Sequence, residues 1–73
     1  MIEYFFNLTL SYNDCMDYYH GRFSSLQVVE DGGKRIRFSA NHLRPYISSL
    51  GIRGRFRILL TPENKFIRIE RVA

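Results

Sequence analysis

Gly51-Ile52-Arg53-Gly54-Arg55-Phe56-Arg57-Ile58-Leu59-Leu60, followed by Phe66-Ile67-Arg68-Ile69-Glu70-Arg71-Val72, decides the fold. Arginine alternates with large apolar residues through both segments, the period-2 pattern of strands with one buried and one solvated face. Phe56, Ile58 and Leu60 are expected inward, and Arg53, Arg55 and Arg57 outward. Thr61-Pro62-Glu63-Asn64-Lys65 between them is turn composition, so the two segments read as an antiparallel pair. If Leu60 faces Ile67, Arg57 lies opposite Glu70, a favourable cross-strand pair. A slip of two residues would set Arg57 against Arg68, and like charges disfavour that register.

The rest of the chain supplies partners for this pair. Ile2, Tyr4, Phe6, Leu8 and Leu10 alternate with Glu3, Phe5, Asn7 and Thr9, a first strand with one apolar face. Ser11 can cap a helix from about Tyr12 to His20, with Asp14 in the capping-box position. On that helix Tyr12, Cys15, Met16 and Tyr19 fall in one stripe and are expected to face the core, and Gly21 can end it in the left-handed conformation. Phe23 to Glu30 reads as the second strand, Asp31-Gly32-Gly33 as a tight turn, and Lys34 to Ser39 as the third strand, with Ile36 and Phe38 inward. Asn41 to Arg44 can form one helical turn that Pro45 stops, and Tyr46, Ile47 and Leu50 are expected to cover an open end of the sheet.

These elements give an α+β, mostly β, class. Five mainly antiparallel strands in so short a chain are expected to form one sheet curled into a small, partly open barrel or roll. One short helix lies between strands 1 and 2 and a helical turn between strands 3 and 4. An open five-stranded sheet with the helix across one face is the alternative.

Seventy-three residues make a single domain, 1–73, and bury only about 60% of the surface the unfolded chain exposes. Domains of this size commonly recruit a disulfide, a metal or a second subunit. Cys15 is the only cysteine, and His20, His42 and Cys15 stand too far apart in sequence for a zinc motif, so no cofactor or metal is expected and a homo-oligomer is a reasonable compensation. Met1-Ile2-Glu3-Tyr4 lacks the basic start of a signal peptide, and no apolar run approaches the ~20 residues that span a bilayer. The expected setting is cytoplasmic, without a membrane partner.

The net charge of +4 is unevenly placed. Residues 1–21 carry Glu3, Asp14 and Asp17 and no Lys or Arg, a charge of −3; residues 22–73 hold all 11 basic residues against four acids, a charge of +7. Nine of the 11 are arginine, whose planar fork matches phosphate oxygens. This partition suggests an acidic end, a basic sheet and an anionic partner. Arg35, Arg37, Arg53, Arg55, Arg57 and Arg68, the outward residues of three strands, are the candidate contacts to an RNA or DNA backbone. A solvated strand face with protective arginines is the plainer reading. Phe5, Leu59 and Phe66 are the apolar residues expected on the outer face, and together they would make a patch for a partner or a second copy. A protein-interaction or self-assembly module is thus the alternative function.

More specific motifs fail on context. Gly51-Ile52-Arg53-Gly54 has the form of the loop with which KH domains grip nucleic acid, but here it leads into a strand and reads as a bend. Arg53 to Arg57 lacks the exposed aromatics of an RNA-recognition strand. Asp14, Asp17 and His20 form a spread polar helix face, and Cys15 lies on the core stripe as a small hydrophobe, so the chain does not read as an enzyme.

Tyr18-Tyr19-His20-Gly21, Lys34-Arg35-Ile36-Arg37-Phe38, Leu43-Arg44-Pro45, Gly51-Ile52-Arg53-Gly54-Arg55-Phe56 and Lys65-Phe66 form a pattern over nearly the whole chain. It resembles a short uncharacterised protein family known mainly from gammaproteobacteria and classed as a domain of unknown function. The resemblance implies a stand-alone bacterial cytoplasmic protein and brings no catalytic residues.

Overall fold

The computed structural model describes residues 1–73. Its elements are strand β1 (Ile2–Leu10), helix α1 (Tyr12–Tyr19), strands β2 (Ser25–Val29) and β3 (Arg35–Ser39), a 3-10 helix (Ala40–Tyr46), and strands β4 (Ile52–Leu60) and β5 (Phe66–Arg71). The mostly β class and the element order are as the periodicity indicates. The single curled sheet is not: β1-β4-β5 form one three-stranded antiparallel sheet and β2-β3 a separate hairpin. The five-residue strands of the hairpin lie against the nine-residue strands of the sheet instead of extending its ladder. At the hairpin tip the Asp31 N–H donates to the Phe5 carbonyl at 2.8 Å.

The inner faces of the two layers share one core. Phe6, Phe56, Ile58 and Leu60 of the large sheet meet Val28, Ile36 and Phe38 of the hairpin. The Phe6 ring lies 5.8 Å from Phe56 and 6.0 Å from Phe38, linking the layers with aromatic contacts. Cys15 of α1, Leu43 of the 3-10 helix and Ile52 close this core at one end.

Ser11 caps α1 as expected, with reciprocal Ser11 and Asp14 hydrogen bonds satisfying two backbone donors. The helix is rolled relative to the expected stripe. Cys15 is buried and Tyr18 half-buried, whereas Tyr12 and Tyr19 are about half exposed. Two turns offer room for only a narrow buried stripe, and the large tyrosines at its margins keep their hydroxyls in water. Gly21 takes φ +75 and ends the helix. The segment to Ser24 stays outside the ladder, held by Arg22 N–H to Asp17 O and Ala40 N–H to Ser24 O, so β2 starts later than Phe23.

Pro45 does not stop the helical turn after Arg44. The 3-10 helix runs on to Tyr46, since proline removes only its own N–H donor, and the Ile47 N–H that caps it donates to the Arg44 carbonyl at 3.3 Å. Tyr46 and Ile47 cover the sheet end, but Leu50 points into solvent at the tip of a tight turn closed by two Ser48–Gly51 backbone bonds of 2.9 Å. The bend expected at the strand entrance falls at Gly51, while Gly54 lies within β4 opposite Leu8. Gly51 has φ +94, and a Cβ on it would stand 2.1 Å from the Leu10 carbonyl oxygen.

Between β4 and β5, Arg57 faces Glu70 and Ile58 faces Ile69, the favoured register. At the turn end Leu60 faces Phe66, not Ile67, because a bulge intervenes. The Thr61–Lys65 loop closes with a 2.8 Å bond and Asn64 at φ 66, which brings Phe66 to Leu60 and extrudes Ile67 toward water.

Candidate functional site

The six arginines do not form one surface. Ile36 and Phe38 of β3 and Phe56 and Ile58 of β4 point into the same core, so the outer faces of the two layers point away from each other. Arg35 and Arg37 lie exposed on the hairpin face, and Arg53, Arg55, Arg57 and Arg68 on the sheet face.

On the sheet face two of the four arginines are closely paired within the chain. Arg57 binds Glu3 at 3.0 Å and Glu70 from the two flanking strands. Arg55 forms an ion pair with Asp31 of the hairpin turn, donates to Asn7 at 3.3 Å, and lies over the Phe5 ring. The Arg55 guanidinium bond holds the Asp31 carboxyl below the usual aspartate range, and the same contact pushes Arg55 up. Arg68 reaches Glu70 only at 4.0 Å, and Arg53, opposite Thr9, has no acidic partner. The charge partition along the chain is partly undone in space: Glu3 of the acidic segment binds Arg57, and Asp31, an acid within the basic segment, pairs with Arg55 across the two layers. The alternating pattern could not show this, because it depends on which strands are neighbours.

The hairpin face is different. Lys34, Arg35 and Arg37 of the hairpin line a cleft of about 150 Å³ at the margin between the two layers, with Tyr4, Ile36, Leu60 and Asn64, and no carboxylate lines it. Lys34 Nζ donates to the Tyr4 hydroxyl at 3.0 Å, and neither Arg35 nor Arg37 has an ion pair. Lys34 and Asn64 were outside the sequence-derived set. Lys34 could have been found there as the third cation of Lys34-Arg35-Ile36-Arg37; Asn64 joins only through the fold.

The apolar trio is dispersed. Leu59 is 4% exposed in the central strand, flanked in register by Glu3 and Arg68. Phe5 is half-buried beneath the Arg55 guanidinium, and Phe66 is covered by His42, whose ring stacks on it at 3.6 Å. A central strand has long side chains on both sides, and their stems shield an outward leucine.

A second lined cleft, of about 350 Å³, lies between α1 and the 3-10 helix. Tyr18, Tyr19, Gly21 and Phe23 line it together with Ser24, Ser39, Asn41 and Arg44. Arg44 sits 5.7 Å above the Tyr19 ring centre, so Tyr18-Tyr19-His20-Gly21 and Leu43-Arg44-Pro45 meet here. Cys15 lies apart from both clefts, where burial, and then the nearby Asp14 charge, push its thiol up. No group of three or more His, Cys, Asp or Glu side chains is placed to hold a metal ion, and no helix is long and apolar enough to cross a membrane.

No curated protein and no solved structure matches the chain. A family model does, over residues 2–72, and the chain belongs to that family, DUF2835, described as a protein of unknown function.

Proposed function

We propose that the protein is a small binding protein that contacts the phosphate backbone of RNA or DNA through its hairpin face, with Lys34, Arg35 and Arg37 as the phosphate contacts. One observation supports this reading: these three cations line a single cleft without a carboxylate, whereas Arg55 and Arg57 are already paired. Side chains two apart on a strand project from the same face about 7 Å apart, so Arg35 and Arg37 can engage separate phosphates. Guanidinium forks and an ammonium give charge-assisted hydrogen bonds to phosphate oxygens without reading sequence.

Fluorescence anisotropy with labelled single-stranded and duplex oligonucleotides, at low and moderate salt, tests this. Three phosphate contacts imply a log–log salt slope of about −2 to −3. Arg35→Glu with Arg37→Glu should abolish binding, while Arg22→Gln, which removes a pair with Asp17 elsewhere, should leave it unchanged. Absence of binding at low salt, or binding indifferent to the double substitution, overturns the reading. Light scattering of the same samples separates it from self-assembly.

A further inference from the structure

The cleft between α1 and the 3-10 helix combines features that the hairpin face lacks. Three aromatic rings cluster along it: the Tyr18 ring centre is 5.4 Å from Tyr19 and 6.0 Å from Phe23, with the rings tilted by 57° and 48°. Tyr19 is 47% exposed, so part of a large aromatic surface stays uncovered. The rest of the lining is polar. Asn41 Oδ1 accepts a hydrogen bond from the Tyr18 hydroxyl, which orients the amide and leaves its two N–H donors unpaired within the chain. Ser24 and Ser39 add hydroxyls, which can donate or accept. Arg44 stands at the edge with no acidic partner, held over the Tyr19 ring within cation–π range. The volume of about 350 Å³ lies within the range of small-molecule sites, and no carboxylate lines it.

We propose that this cleft binds a small planar aromatic anion of the nucleoside monophosphate class. The ligand ring packs on the exposed surface of Tyr19 beside Tyr18 and Phe23, where it replaces water on apolar carbon. Its polar edge meets the Asn41 amide and the serine hydroxyls. Its phosphate pairs with Arg44, whose guanidinium is restrained by the Tyr19 ring and gives up little freedom on binding. The site is separate from the Lys34/Arg35/Arg37 face and does not depend on it.

Two-dimensional amide NMR of the full chain, titrated with AMP, GMP, CMP and UMP, tests the site. At least one nucleotide is expected to shift resonances within residues 18–24 and 39–44 before any others. Adenosine without phosphate, and ribose 5-phosphate without a base, should each bind at least tenfold more weakly than AMP if AMP is the ligand, and the matching truncations apply to another nucleotide. Arg44→Gln should weaken binding at least tenfold, and Tyr19→Leu likewise, while Tyr19→Phe retains it. The dispersed spectrum of each variant shows that it is folded. Arg35→Glu with Arg37→Glu should leave the titration unchanged, which separates this site from the backbone-binding face. No shifts with any nucleotide at about 10 mM, shifts centred on residues 34–37, or an unchanged affinity in Arg44→Gln overturns the proposal.

Discussion

Arg57 and Glu70 stand directly opposite each other on β4 and β5 and form an ion pair on the outer face of the sheet. Arg57 is the hub of that face, since Glu3 of β1 binds it from the other side. The side chain is only 29% exposed, and its Nε is buried without a hydrogen-bond partner. The guanidinium is therefore sunk into the layer it neutralises and is poorly placed to meet an external phosphate.

A double-mutant cycle with Arg57→Met and Glu70→Gln should give a coupling of about 0.5–1 kcal/mol in urea denaturation at low salt, the scale of a partly solvated pair. Screening should reduce it at about 1 M salt. A coupling near zero at low salt would mean that the pair contributes no net stability.

Acid should weaken the contact between the hairpin tip and the sheet. Asp31 has a folded pKa below its ordinary value of 3.8, so its stabilisation is fully present above 3.8 and is lost as pH falls from there through the folded value. Asp31→Asn removes the contribution at every pH. The stability difference between the two proteins should be constant from about pH 7 to pH 5 and shrink below 3.8. A difference that persists unchanged at pH 2 would contradict the assignment.

Glycines 51 and 33 should respond differently to alanine. Both have positive φ, +94 and +91, but only at Gly51 would the new methyl collide with backbone, 2.1 Å from the Leu10 oxygen. Gly33→Ala should cost about 1 kcal/mol for its conformation. Gly51→Ala should cost at least about 2 kcal/mol, a large share of the roughly 4–11 kcal/mol expected for a domain of this length. Thermal denaturation of the two variants side by side measures the contrast.

The Cys15 thiol is 2% exposed and its pKa is raised, mainly by burial. Iodoacetamide at pH 8 should leave it unmodified in the native protein and alkylate it promptly in urea. Because the side chain closes one end of the core, native-state alkylation should proceed only as fast as that end opens. Rapid alkylation of the folded protein would show that the α1 end of the core is open in solution.

Much of the fold was legible in residue order alone. Alternation placed Phe56, Ile58, Ile36 and Phe38 inward, and all four are buried. Ser11 and Asp14 marked the start of α1, glycine marked its end, and charge pairing selected the Arg57–Glu70 register. These are local or two-strand properties, set by side-chain period, backbone conformation and the sign of facing charges, and they do not need the rest of the molecule.

What only the tertiary structure decided was which surfaces face which. Strand periodicity assigns each arginine to an outer face without saying that there are two such faces, pointing apart. It could not bring Asp31 beside Arg55 or Glu3 beside Arg57, because those partners lie 24 and 54 residues away and meet only once the hairpin and β1 are docked. It could not bury the outward Leu59, which depends on β4 being central, nor build the Tyr19/Arg44 cleft from two short helices. The chain thus carries its elements, caps and one register in sequence, while the packing of the layers determines which charges remain free.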